Sequence, residues 1–183
     1  MRQVLLVHGS GGSPNGGFLP WLREALEEKG YEVIAPQFPV TLETQKLENW
    51  LTVMENFELD KEAIAVGFSL GAPFLLNLLE KQALKSAYLV AGFASLLGNE
   101  FDSVTDTFVE KEFDWKQIKE NCNNITIIYS DNDPYVSIEK PKELEEKLGV
   151  KGVLVKGAQH FNSEAGFTSF PFLLEKILEE GAS

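Results

Sequence analysis

The stretch from Ala63 to Leu79, AIAVGFSLGAPFLLNLL, constrains this chain more than any other. Residues 63–66 form a short apolar run with β-branched side chains, long enough for one buried strand. Gly67-Phe68-Ser69-Leu70-Gly71 follows at once, and Phe74, Leu75, Leu78 and Leu79 then recur at helical spacing. A strand passing into a helix through G-x-S-x-G must turn sharply, and small residues two positions either side of the serine let the two elements approach. Such a turn holds Ser69 on a strained backbone with its hydroxyl exposed. The backbone N–H of Leu70, at the helix N-terminus, then faces the place where a developing oxyanion would sit. The five-residue string is a weak signal by itself. Its position between a strand and an amphipathic helix makes it a nucleophile turn.

The remaining chain supplies a frame for that turn. Apolar runs at 4–7, 31–35, 87–91, 125–129 and 153–155 read as further strands. Helical periodicity is expected over 18–29, 42–57, 115–120, 139–148 and 170–180. Residues 92–124 are the least regular part, with only the short helix around 115–120 assigned. Strand and helix alternate from end to end, which predicts an α/β three-layer sandwich: a mostly parallel sheet of about six strands with helices on both faces. No repeat, linker or low-complexity tract interrupts the 183 residues, so a single domain over 1–183 is expected.

Composition narrows the function classes. A formal charge of −12 argues against nucleic acid or an anionic membrane as partner, because both would repel the chain. The single cysteine, Cys122, excludes an internal disulfide or a multi-cysteine zinc site and reads as structural. The N-terminal apolar run is too short for a signal peptide, and a cytoplasmic protein is the expectation. No metal-ligand spacing is present, and the acidic helix over 139–148 reads as a solvated face.

In an open parallel sheet, functional groups gather at the carboxyl ends of the strands. Strand one ends in His8 and a glycine-rich loop, His8 to Gly17. The strand at 63–66 delivers Ser69, the one at 125–129 delivers Ser130-Asp131-Asn132-Asp133, and the last is followed by Gln159-His160-Phe161. Nucleophile, carboxylate and imidazole thus occur in the order Ser, Asp, His. Serine is a poor nucleophile at neutral pH, so an imidazole must take its proton, and a carboxylate must orient that imidazole. Only two histidines exist. His160 is the expected base, and His8 is expected to brace the glycine loop. Asp131 and Asp133 both suit a turn cap or the orienting role; Pro134 fixes the turn after Asp133 and favours it, with Asp131 still open.

The glycine loop contains neither a Gly-Lys-Ser/Thr step nor G-x-G-x-x-G, so no nucleotide or other cofactor is expected. Its better reading is half of an oxyanion hole, with the backbone N–H of Ser10, or of Gly11, paired with that of Leu70. The alternative is a loop kept small for tight packing. Phe68, Phe93 and Phe161 are candidates for an apolar acyl pocket, with core packing as the competing role.

These residues, taken together, resemble a known family. His8-Gly9, Phe18-Leu19-Pro20-Trp21-Leu22, Gly67 to Gly71, Ser130 to Val136 and Gly157 to Asn162 are similar to the small serine hydrolases grouped with retinoblastoma-binding protein 9, in particular the bacterial YdeN-type members. The resemblance extends to Leu89-Val90-Ala91-Gly92-Phe93, Trp115 to Ile118 and Gly166 to Pro171, nearly the whole chain. It implies a reduced α/β-hydrolase fold without the opening antiparallel strands or a cap domain. It also implies a triad of Ser69, Asp133 and His160, since Asp133 aligns with the family carboxylate and Asp131 does not. Two departures are Ser137, where proline is frequent in the family, and Phe68, where histidine is frequent. The expected function is therefore a metal-free serine hydrolase of a small ester, before an amide or thioester. A protein-binding module on the same fold is the alternative from another class, although no Leu-x-Cys-x-Glu docking segment is present and no protein partner is assigned.

Overall fold

A computed structural model of the protein describes residues 2–181. Six strands form one sheet in the order β2-β1-β3-β4-β5-β6, with every pairing parallel. They are β1 (Gln3–Val7), β2 (Glu32–Ile34), β3 (Ile64–Phe68), β4 (Ser86–Val90), β5 (Asn124–Tyr129) and β6 (Val153–Leu154). The helices are α1 (Leu19–Glu28), α2 (Leu47–Met54), α3 (Gly71–Leu79), α4 (Asp102–Val109), α5 (Trp115–Asn121), α6 (Glu139–Leu148) and α7 (Pro171–Gly181).

Alternation along the strands decides which helices pack where. Val4, Leu6, Ile64, Val66, Tyr88 and Val90 share one apolar cluster with α1 and α7, through Leu22, Leu26, Leu173 and Ile177. Leu5, Val7, Ala65, Ala87, Leu89 and Ile127 face the other cluster, built from α2 to α6. The register puts Ala65 beside both Leu5 and Ala87, and these small side chains leave room for α3 against the sheet. Every residue of α3 is buried, because α2, α4 and α5 cover the side turned away from the sheet.

The structure departs from sequence expectation in two helices. The one expected over 42–57 is α2 alone, since residues 41–46 form a turn instead. The N–H groups of Thr44 and Gln45 both donate to the Thr41 carbonyl, at 3.1 and 2.8 Å. That turn swings Gln45 into the interior, where it is 1% exposed. The other departure is α4, inside the segment expected to be irregular. Its sequence DSVTDTFV is too polar to show a helical stripe, and only Thr105, Phe108 and Val109 are buried. It docks on α3 through the buried Asn77, whose amide donates to the Phe108 carbonyl at 2.9 Å.

Chain order reverses direction between β1 and its neighbours β2 and β3, so the crevice above β1 and β3 is the topological switch point. β1 delivers the glycine loop there and β3 delivers Ser69.

Candidate active site

Ser69 occupies the left-handed region, with φ +54°. The G-x-S-x-G glycines follow directly from that turn. A side chain on Gly67 would strike the Gly71 carbonyl, and a Cβ on Gly71 would sit 2.5 Å from the Val7 carbonyl oxygen. Ser69 is 7% exposed, and its backbone N–H donates to the Val90 carbonyl at 2.8 Å, which ties the turn to the end of β4. Among the described residues, the other non-glycine positions with positive φ are Ala91, directly after β4, and Gln159 and Phe161, which flank His160. Strained backbone gathers where side chains must be held in a fixed direction.

His160 links the serine to a carboxylate. Its Nδ1 lies 2.7 Å from Asp133 Oδ2 and its Nε2 lies 3.1 Å from Ser69 Oγ. A carboxylate only accepts, so Nδ1 carries the proton and the Nε2 lone pair faces the serine hydroxyl. Asp133 is fixed by its second oxygen, which accepts from the backbone N–H groups of Tyr135 (2.8 Å) and Val136 (3.0 Å). Asp131, the other carboxylate considered, points elsewhere: it accepts from the Gly157 N–H at 2.8 Å. Asn132 accepts from the Gln159 N–H at 2.8 Å and from the Ser130 hydroxyl at 2.7 Å. Three consecutive side chains of the β5 loop therefore grip the loop after β6, which sets His160 in place.

His8 does not reach the serine. Its Nδ1–H donates to the Gly9 carbonyl (2.8 Å), and its Nε2 accepts from the Phe38 N–H (3.0 Å). The ring packs edge-on against Phe38 and Trp50, and burial holds its pKa below the ordinary histidine value. It braces the glycine loop, as expected.

Ser10 and Leu70 both border the crevice over Ser69, and among the described residues neither backbone N–H has an acceptor. The N–H of Gly11 is turned away and donates to Gln45 Oε1 at 2.9 Å, which removes it as an alternative. Gln45, unnoticed in the sequence, also donates through Nε2 to Ser10 Oγ (2.7 Å) and to the Val104 carbonyl (3.1 Å). One buried amide thus ties the glycine loop to α4. The signal missed was a lone glutamine inside what read as a helix.

The crevice encloses about 280 Å³. Phe68 and Phe93 line it, but Phe161 does not. Phe161 is fully buried on the opposite face of the sheet, stacked on Phe170 at 5.5 Å and edge-on to Phe167 at 5.1 Å. Its positive φ turns the side chain away from the crevice, so that it anchors the His160 loop from behind. The residues missed on the crevice wall are Leu97, Phe101, Thr105, Tyr135, Val136 and Asn162. They come from the unassigned segment, from the two positions after Pro134 and from the loop that carries His160. No helix of the described residues is long and apolar enough to cross a membrane.

A parallel sheet with a strained serine at the end of β3, hydrogen-bonded to histidine and through it to aspartate, defines a hydrolase of the α/β-hydrolase class. The chain belongs to the serine hydrolase family, whose model matches residues 4–179. It is 29% identical over 182 residues to the putative hydrolase YdeN of Bacillus subtilis (strain 168), covering 96% of this chain and 94% of that one. It is 27% identical over 165 residues to the serine hydrolase RBBP9 of Rattus norvegicus, covering 88% of each. The crystal structure of the B. subtilis ydeN gene product superposes with a TM-score of 0.91 at 28% identity, over 100% of both chains. Est1E from Butyrivibrio proteoclasticus shares the fold at a TM-score of 0.72 and 15% identity, over 100% of this chain and 89% of that one.

Proposed function

We propose that the protein cleaves a small carboxylic ester through an acyl-enzyme on Ser69, with His160 as general base and Asp133 as the carboxylate that orients it. The observation that carries this reading is the chain Asp133 Oδ2–His160 Nδ1 (2.7 Å) and His160 Nε2–Ser69 Oγ (3.1 Å). Ser69 Oγ attacks the acyl carbon as its proton passes to Nε2, and the tetrahedral oxyanion takes hydrogen bonds from the N–H groups of Ser10 and Leu70. Collapse expels the alkoxide, which leaves with the proton from Nε2. Water, deprotonated by the same nitrogen, then releases the acid and restores the serine. Oxyanion donors of this kind are worth about 3 kcal/mol each, so the glycine loop contributes on the scale of a triad member. Esters rank ahead of amides and thioesters; phenylalanine side chains at 68 and 93 supply apolar wall for a short acyl chain.

The test is turnover of p-nitrophenyl acetate and butyrate by wild type and Ser69→Ala. The expected result is hydrolysis by wild type, a Ser69-bound acyl group detected by mass spectrometry, and a loss on the order of 10⁴-fold or more in the variant. A folded wild type that turns over no ester, yet captures a protein partner as well as Ser69→Ala does, would replace this reading with a binding module.

A further inference from the structure

The wall of the crevice that comes from α4 holds a polar group which ester cleavage alone does not call for. Thr105 lines the crevice and is 1% exposed, and its hydroxyl has no hydrogen-bond partner among the described residues. A threonine inside a helix ordinarily returns its hydroxyl to the carbonyl one turn back. Here the Phe101 carbonyl already accepts the backbone N–H groups of Val104 (3.0 Å) and Thr105 (3.1 Å), and the hydroxyl joins neither bond. Buried hydroxyls without a partner are rare, and each needs an explanation.

A second hydroxyl, that of Ser10, belongs to the same crevice wall. Gln45 Nε2 donates both to Ser10 Oγ (2.7 Å) and to the carbonyl of Val104, the residue preceding Thr105 (3.1 Å). One amide nitrogen therefore holds Ser10 Oγ close to the start of residue 105. Because Gln45 uses a lone pair of Ser10 Oγ, the Ser10 hydroxyl proton is left for another acceptor, and none is found among the described residues. Among the described residues, no Lys, Arg, Asp or Glu lines the crevice. Two hydroxyl donors in a wall whose other polar side chains are Ser69, His160 and the neutral amide of Asn162 suit a neutral oxygen. A carboxylate or phosphate would enter with no cation to meet it, into a chain of formal charge −12.

We propose that Thr105 and Ser10 form a subsite for a neutral hydrogen-bond acceptor carried by the substrate's acyl chain: an ether, ketone or hydroxyl oxygen. The placement rests on the hydrolase reading, in which the Ser10 N–H holds the acyl oxyanion. A short acyl chain leaving that carbonyl then reaches the Ser10 and Thr105 hydroxyls within a few bonds. The enzyme is thus selective for short oxygenated acyl esters over alkanoyl esters of equal length.

Thr105→Val keeps the shape and removes the hydroxyl, and Thr105→Ser returns it. The substrates are matched pairs of p-nitrophenyl esters, butyrate with methoxyacetate and valerate with 3-methoxypropionate. For at least one pair, the ratio of kcat/KM for ether over alkyl ester falls about tenfold in Thr105→Val and recovers in Thr105→Ser. Thr105→Val also melts no lower than wild type, since it loses only an unpartnered group. Equal ratios in wild type and Thr105→Val for both pairs would overturn the subsite. So would a fall in melting temperature or failure to fold, which would place the hydroxyl in the structure's own bonding. Should wild type hydrolyse no ester, the hydrolase reading is at fault. Binding of N-propyl methoxyacetamide against N-propyl butyramide, followed by NMR on folded wild type and Thr105→Val, then decides the subsite separately.

Discussion

The two histidines of this chain follow the first and the last strand of one sheet, yet their surroundings give them opposite capacities. His8 has both ring nitrogens committed to backbone groups, Gly9 carbonyl on one side and Phe38 N–H on the other, inside a nest of aromatic rings. A proton added at its Nε2 would break the bond from Phe38 and place a charge where water does not reach. His160 has a carboxylate on one nitrogen and a hydroxyl on the other, so a proton arriving at Nε2 meets Asp133 across the ring. The difference lies in the partners. An imidazole becomes a base where its second nitrogen is answered by negative charge, and a brace where both are answered by peptide groups.

The largest effect expected from breaking this contrast is at the serine side. Ser69→Ala and His160→Ala should each lower kcat for an ester by 10⁴-fold or more, about the scale seen when a triad member is removed, with little change in melting temperature. Asp133→Asn comes next, at about 10⁴-fold. Its amide oxygen is expected to stay with the Tyr135 and Val136 N–H groups, which turns the NH₂ toward His160 Nδ1. The ring must then accept at Nδ1 and carry its proton on Nε2, facing Ser69 with the wrong tautomer. A pH–rate profile that stays depressed at every pH would separate this from a simple shift in ionisation.

Gln45→Ala tests the brace on the other flank. Losing three hydrogen bonds frees the loop that carries Ser10. We expect kcat to fall about 10- to 100-fold while substrate still binds, read from steady-state kinetics, because small misplacement of an oxyanion donor is costly. The smallest catalytic effect, less than about tenfold, is expected for His8→Gln, whose consequence is for stability instead. Burial lowers the His8 pKa from 6.5 in the fold. The unfolded chain therefore binds the extra proton first as pH falls below that value, and the native state loses stability from there down to the folded pKa. Thermal melts between pH 8 and pH 5 should show wild type losing its advantage over His8→Gln as the pH drops.

How much of this was legible in the sequence follows the same division between local and distant bonding. The nucleophile turn is written in consecutive residues: Gly67 is required by the backbone of Gly71 and Ala72 a few positions on, although Gly71 answers to the Val7 carbonyl of the neighbouring strand. The strands were legible because a parallel sheet covered on both faces needs continuous apolar runs. The choice of Asp133 over Asp131 was left open by spacing, because it depends on which loop residue each carboxylate meets across the gap between β5 and β6. α4 was illegible for a related reason: its polar residues are satisfied by partners far along the chain, such as Lys46 with Asp106 and the Leu47 N–H with Thr107. Phe161 misled because an aromatic beside a candidate base suggests a pocket wall, whereas its positive φ sends the ring into the opposite core. Gln45 carried no local pattern at all.

The most direct test of the account is labelling with a fluorescent fluorophosphonate, which reports an activated serine without requiring the natural substrate. Wild type and His8→Gln should label, with the adduct on Ser69 by mass spectrometry, and labelling should vanish in Ser69→Ala and His160→Ala. Labelling that persists in His160→Ala but is lost in His8→Gln, or an adduct on a serine other than Ser69, would contradict it.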